Sequence, residues 1–335
     1  DFHEILKTVN ERKAEFGIDI VYCPHPNWAN PLAEFMGLNE GIAWLDGDQA
    51  KPSADNPVNK DFFLFMNELY REGLLYKEYL AQRPEDFFQQ VRSGKVFAAS
   101  YNTGLAADVN KVFDESGISG QLVPVTKALP WKGETKFQPM DGNIGWASCF
   151  ISKDVSDPKR AIRYMEFLKS PEGDALTQWG IEDTHYTLDE NNLLVRPEGF
   201  SALTGTETGI GPWYFMASGL GEGVAVSSGV NNPDQKAAEY SKYGIDLLQF
   251  RKAAYARNPV LYFATNFSVD LPEYEIRVKI NTEYTQWRAK IITAETAEQA
   301  EQLYDDMMEA FRAAGLADWE KVMTDSYNTA AERYK

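Results

Sequence analysis

The chain has 335 residues, 44% of them hydrophobic, and carries 33 Lys plus Arg against 50 Asp plus Glu, a net charge of −17. That length and apolar content describe a folded chain with room for two domains and a sizeable core, which excludes a disordered polymer. The acidic balance disfavours phosphate backbones and anionic membrane surfaces, and no window reaches the roughly 18–20 uncharged apolar residues of a membrane span.

In chain order, Ile18 to Tyr22 reads as a strand, followed directly by Pro26-Asn27-Trp28-Ala29-Asn30-Pro31. Asp46-Gly47-Asp48 turns a hairpin after Trp44; it lacks the alternating oxygens and terminal Glu of a calcium loop. Phe62, Met66 and Leu69 line one helical face, which Gly73 stops. Val96 to Ala99 forms a second strand, followed by Ser100-Tyr101-Asn102-Thr103. Asn143-Ile144-Gly145-Trp146 leads into an apolar strand, Ala147 to Ser152.

Asp157-Pro158 then supplies an N-cap acceptor and a proline at the first helical position. Ala161, Ile162, Met165 and Leu168 follow on one face. Ser170-Pro171 repeats the cap, and Ala175, Leu176 and Trp179 carry the next helix to Gly180. Tyr186 to Leu188 and Leu193 to Val195 flank the polar turn Asp189-Glu190-Asn191-Asn192. Glycine-rich stretches from Gly205 to Gly211 and Gly219 to Gly223 read as a connection, with Gly211-Pro212-Trp213-Tyr214 inside it. Asn231-Asn232-Pro233-Asp234 is a turn before a helix near Gln235. Thr296 and Gln299 form a capping-box pattern. Ala300, Leu303, Met307, Ala310 and Ala314 make the expected buried stripe behind it, ended by Gly315.

Chemistry is sparse. The chain has no GxSxG, no GxxxxGK[ST] and no GxGxxG between a strand and a helix. Its three histidines (His3, His25, His185) show no metal-ligand spacing, and no metal or cofactor is expected. Cys23 and Cys149 either pair or sit separately as small buried residues. Carboxylates are too numerous for a glycosidase pair to be picked out.

Aromatics in polar, turn-rich settings carry more information. Sugars present apolar C–H faces ringed by hydroxyls, so their sites combine flat aromatic platforms with amide and backbone partners. Open α/β sheets place ligands at the loops after strand ends. Asn27, Trp28, Tyr101, Asn102, Asn143, Trp146, Trp213 and Tyr214 are therefore the candidate ligand-binding residues. Each aromatic among them reads equally as core packing. Trp44, Trp179, Trp287 and Trp319, on hairpins or helical faces, read as core.

Several stretches, taken together and in order, resemble one family. They are Ile151-Ser152-Lys153, Phe167-Leu168-Lys169-Ser170-Pro171-Glu172-Gly173, and Gly180-Ile181-Glu182 through His185-Tyr186-Thr187-Leu188-Asp189-Glu190-Asn191. DFFLFMNELYREGLLYKEYL with SGKVFAAS, and the closing segment 287–335, extend the likeness. The wording resembles the extracellular solute-binding proteins of ABC importers, family 1, in their long Gram-positive-type lipoprotein branch.

The resemblance implies an α/β, two-lobed, periplasmic-binding-protein-like (type II) fold that binds a solute between its lobes. Residues 1–140 would be mainly second lobe, 141–200 a return segment of the first lobe with a hinge strand, and 201–335 mostly helices packing back on the second lobe. Members begin with a further strand–helix–strand region. The resemblance thus implies the C-terminal part of a longer protein whose first lobe is incomplete in this chain.

The implied function is non-catalytic: capture of an extracellular carbohydrate, in particular an oligosaccharide, and delivery to a membrane permease. The implied protein is a monomer at the cell surface on a lipid anchor, or periplasmic, with no nucleic-acid partner. A secreted carbohydrate-active enzyme and a non-catalytic interaction domain are the alternatives.

Overall fold

The computed structural model describes residues 2–26, 31–38, 43–101, 104–123, 125, 151–168, 170–178, 180–190, 194–195, 197 and 259–333. In chain order these form α1 (Phe2–Glu11), α2 (Lys13–Phe16), β1 (Ile20–Pro24), α3 (Pro31–Phe35), β2 (Ala43–Asp46), β3 (Gln49–Pro52), α4 (Val58–Arg71), α5 (Pro84–Arg92), β4 (Val96–Ser100) and α6 (Gly104–Ser116). Then come α7 (Pro158–Leu168), α8 (Pro171–Gln178), β5 (Thr187–Leu188), β6 (Leu194–Val195), α9 (Pro272–Ile292), α10 (Ala297–Ala313) and α11 (Leu316–Arg333). Contacts divide the chain into two units, Asp1–Asp141 with Leu248–Lys335, and Gly142–Leu247.

In the first unit β1 pairs in parallel with β4, Ile20 opposite Val96 and Pro24 opposite Ser100. On its other edge Tyr22 bridges Leu75, again in parallel. Every residue of β1 is buried, as its unbroken apolar run requires of a strand covered on both faces. The strand begins two residues later than expected. Gly17 adopts a left-handed φ of +67°, and the Ile18 amide donates back to the Lys13 carbonyl at 2.8 Å, so Ile18 closes α2 instead of opening β1.

Two apolar cores flank this sheet. Ile20, Cys23 and Val96 pack with Phe87 and Val91 of α5 and Leu105, Val109 and Phe113 of α6. On the other side Val21 and Tyr22 join a larger core of Leu6 (α1), Phe62, Phe63 and Met66 (α4), Ile280 and Ile291 (α9), Met307 and Phe311 (α10) and Trp319 and Met323 (α11). Cys23 is a buried free thiol, and burial pushes its pKa up to about 11. Cys149 lies outside the described residues. The β2–β3 hairpin turns through Gly47 at φ +60°, a positive φ at the first loop position that suits the twist of paired strands.

Polar side chains tie the distant parts of this unit together. Asn67 of α4 donates to the carbonyls of Ile292 and Ala294 at 3.1 and 2.8 Å, satisfying the C-terminal end of α9. Tyr284 of α9 donates to Asn59 at 3.1 Å, and Lys60 reaches Glu301 and Asp305 of α10 at 2.9 and 3.0 Å. Thr296 accepts from the Gln299 amide at 3.1 Å, as the capping box requires, whereas the Gln299 side chain accepts from Glu295 at 3.0 Å.

In the second unit α7 and α8 begin as their caps dictate. Asp157 accepts from the Arg160 amide at 3.0 Å and Ser170 from the Gly173 amide at 3.1 Å. β5 and β6 pair antiparallel, Thr187 opposite Val195; Asn191 and Asn192 of the expected turn lie outside the described residues. Two expectations fail. Ile151 and Ser152 belong to no strand. Of the expected α7 stripe only Leu168 is buried; Ala161 and Met165 are half-buried and Ile162 is 48% exposed, while Tyr164 and Phe167, outside the stripe, are 47% and 39% exposed.

Candidate functional site

The parallel pairing sets the C-terminal ends of β1 and β4 side by side, and the residues that follow, His25 and Tyr101, meet there. The His25 amide donates to the Ser100 carbonyl at 3.0 Å, extending the ladder by one bond. The Tyr22 and Ser100 hydroxyls lie 2.7 Å apart beneath it. The His25 imidazole sits 4.7 Å from the Tyr101 ring at 33° and 5.0 Å from Phe87 at 77°. Phe88 closes the group edge-on to Tyr101 at 5.3 Å and 88°.

Phe87 is buried, while Phe88 and Tyr101 are half-buried, so the rings form a wall with a core side and a solvent side. Arg92 lies 5.5 Å over the Phe88 ring and is anchored on Asp108. Gln82 donates to the Pro24 carbonyl at 3.0 Å and so holds the end of β1. Burial pushes the His25 pKa below its usual range. The neutral ring has one donor and one acceptor nitrogen, the polarity that pairs with hydroxyls without adding charge.

Of the candidate ligand-binding residues, Tyr101 joins this wall. Asn27, Trp28, Asn102, Asn143, Trp146, Trp213 and Tyr214 lie outside the described residues, as does Trp179. His25 and Phe88 were not singled out by sequence reasoning. His25 gives a signal only once the strand is known to end at Pro24, and Phe88 is hidden beside the core residue Phe87. Trp319 is buried as expected, and Trp44 and Trp287 are half-buried.

The GIE–HYTLDE stretch has a local structural role. His185 Nδ1 accepts from the Ile181 amide at 3.0 Å, the Asp183 amide donates to the Tyr186 carbonyl at 2.8 Å, and Asp183 takes φ +60°. Together these bonds build the turn that launches β5.

A second set of groups resembles an acid–base pair. The Glu320 carboxyl on α11 is raised to about 7, first by burial and then by the charge of the nearby Asp55 carboxylate. Lys51 approaches Asp46 at 2.8 Å and Asp55 at 3.7 Å in the same cluster. A cavity of about 790 Å³ also opens between Phe263, Phe267 and Leu271 on one side and Asp325, Thr329 and Arg333 of α11 on the other.

No family model matches the chain, and no curated protein sequence matches it. Solved structures do. The Streptococcus pneumoniae ABC-transporter substrate-binding protein FusA, an EF-hand mutant in complex with fructo-nystose, superposes at a TM-score of 0.66 and 14% identity, covering 99% of this chain and 68% of that one. An HMO-binding, ABC-transporter-associated solute-binding protein from Bifidobacterium longum infantis gives 0.61 and 13%, covering 98% and 69%. The alginate-binding protein AlgQ2 gives 0.59 and 14%, covering 98% and 67%.

The fold is that of two-lobed solute-binding proteins. The chain spans about two thirds of the length of these structures, and the superpositions take in nearly all of it.

Proposed function

We propose that this chain is the larger part of a carbohydrate-binding protein of an ABC importer, which captures a sugar without catalysis and passes it to a membrane permease. The single observation that carries the reading is the aromatic wall at the C-terminal ends of two parallel strands, where half-buried Phe88 and Tyr101 pack on buried His25. That is where open α/β sheets bind ligands, and flat rings beside a neutral imidazole suit a sugar's alternating apolar and hydroxyl surface. The sugar ligands or sugar-binding roles in the names of the fold neighbours support it.

The protein would act as a lipid-anchored monomer at the cell surface or in the periplasm. The outward apolar face of α7 would be covered by a further segment of the same protein, completing the first lobe. Support comes from Tyr164 and Phe167, exposed three positions apart on one face of α7, and from the third of each neighbour that this chain does not span.

Thermal unfolding against a panel of oligosaccharides tests the function. A ligand at 100 times its Kd adds about 2.7 kcal/mol of stability, a readily measured rise in Tm. No shift with any sugar, in this chain and in the longer protein alike, would reject the reading. Release of shortened products would turn it into an enzyme.

A further inference from the structure

Outside the aromatic wall, residues 69 positions apart place an imidazole against two carboxylates at the end of α4. Glu68 and Glu72 stand one turn apart, so both side chains leave the same face. They do so at the helix C-terminus, where the aligned peptide dipoles already concentrate negative potential. The basic residue of that turn, Arg71, donates through Nε to Asn67 at 2.8 Å.

What faces the pair is His3 of α1. Its Nε2 lies 2.6 Å from Glu72 Oε2, and a ligand atom from each of His3, Glu68 and Glu72 lies within 4.8 Å of the other two. The imidazole is held in place by its neighbours. It packs edge-on to Phe65 at 5.8 Å and 87°, and α1 is seated by buried Leu6 and Val9 and by Phe2 edge-on to Tyr22 at 5.6 Å.

We propose that His3, Glu68 and Glu72 form a binding site for a divalent transition-metal ion, Zn2+ being the best match, which clamps α1 to the end of α4. One imidazole nitrogen and two carboxylate oxygens with a fourth position open to water is a donor set that Zn2+ accepts, with bonds of about 2.0–2.2 Å. Ca2+ and Mg2+ prefer all-oxygen shells and are disfavoured by the imidazole. Binding requires the His3–Glu72 contact to open to the roughly 3.3 Å separating two ligands of a tetrahedral Zn2+, a side-chain adjustment within reach of a half-exposed glutamate. The ion would add positive charge at the C-terminal end of α4, where the helix dipole favours it.

Calorimetric titration of the full chain with ZnCl2, alongside CaCl2 and MgCl2, tests the site. The expected result is one saturable Zn2+ site, a higher Tm with Zn2+, and no comparable response to the other two ions. Glu68→Gln leaves the His3–Glu72 contact intact and should weaken Zn2+ binding by about tenfold or more, with the apo Tm unchanged. Co2+ in place of Zn2+ should give a visible d–d band that is lost in His3→Asn. Absence of saturable binding at millimolar Zn2+, or equal binding by the Glu68→Gln protein, would overturn the assignment.

Discussion

Thr324 on α11 grips both backbone groups of Ala50 on β3: its hydroxyl accepts from the Ala50 amide at 3.1 Å and donates to the Ala50 carbonyl at 3.2 Å. Ala50 is fully buried, so both groups depend on this side chain for a partner. Thr324→Val keeps the shape and removes the hydroxyl. It should cost about 1–3 kcal/mol in urea unfolding, the penalty for stranding buried polar groups. Thr324→Ser should recover most of it. A Thr324→Val protein as stable as the parent would mean that water replaces the hydroxyl.

Asn67 plays the same part at the end of α9. It is fully buried, donates to two carbonyls and accepts from Arg71 at 2.8 Å. Asn67→Leu fills the volume but leaves all three partners unmet. A loss of about 2–4 kcal/mol is expected, larger than for Thr324→Val because more bonds vanish. Hydrogen exchange should place the new opening at residues 291–294, and uniform loss of protection across the unit would count against a local role.

Glu320 and His25 impose opposite pH dependences. The Glu320 carboxyl is raised from 4.5 to about 7 in the folded chain, so between those values the folded state holds a proton that the unfolded state releases. Its contribution is complete below about 4.5 and is lost as pH rises through 7. Burial lowers the His25 pKa from 6.5; the unfolded chain then takes up the proton first, and stability falls as pH drops below about 6.5. Glu320→Gln should therefore stabilise the protein above pH 7 by about 1–2 kcal/mol, a figure reduced for the half-exposed position. Denaturant midpoints measured from pH 5 to 8 check this, and curves that run parallel for parent and variant would refute it.

Tyr101 carries the binding prediction. Tyr101→Ala should weaken affinity for the bound sugar by about 1–3 kcal/mol, roughly 5- to 150-fold, as expected for loss of a stacking platform. Tyr101→Phe should retain most of the affinity, since the ring and not the hydroxyl supplies the surface. Isothermal titration with the sugar found by thermal screening distinguishes them; unchanged affinity in Tyr101→Ala would return the ring to core packing.

The elements that could be read from the sequence are those whose causes are local. Gly73 stops α4, Asp157 and Ser170 cap α7 and α8, and Thr296 caps α10, because each acts through bonds spanning a few residues. Faces were harder. In α10 the expected stripe names Leu303, Ala310 and Ala314, yet Tyr304, Met308 and Phe311 are buried with Ala300 and Met307. That helix packs against both α4 and α9, so its buried face is wider than a single stripe and centred differently. At the site, Tyr101 follows its strand directly and could be singled out. His25 and the His3–Glu72 contact need the pairing of distant segments, which no spacing rule encodes.

The first unit is built from two ends of the chain, 1–141 and 248–335, and Thr324 meets Ala50 across 274 positions. Its timing during synthesis follows from this. A ribosome that has made β1, the hairpin and α4 has produced apolar faces whose covering helices, α9 to α11, are not yet translated. Those faces stay open while residues 72–271 are made, and closure of so many distant contacts is slow. A chain stalled before Leu316 would leave the Ala50 backbone without Thr324, and one stalled before Pro272 would leave the α4 core uncovered as well. Such a chain should be the form that proteases and chaperones seize, and the finished protein the form they ignore.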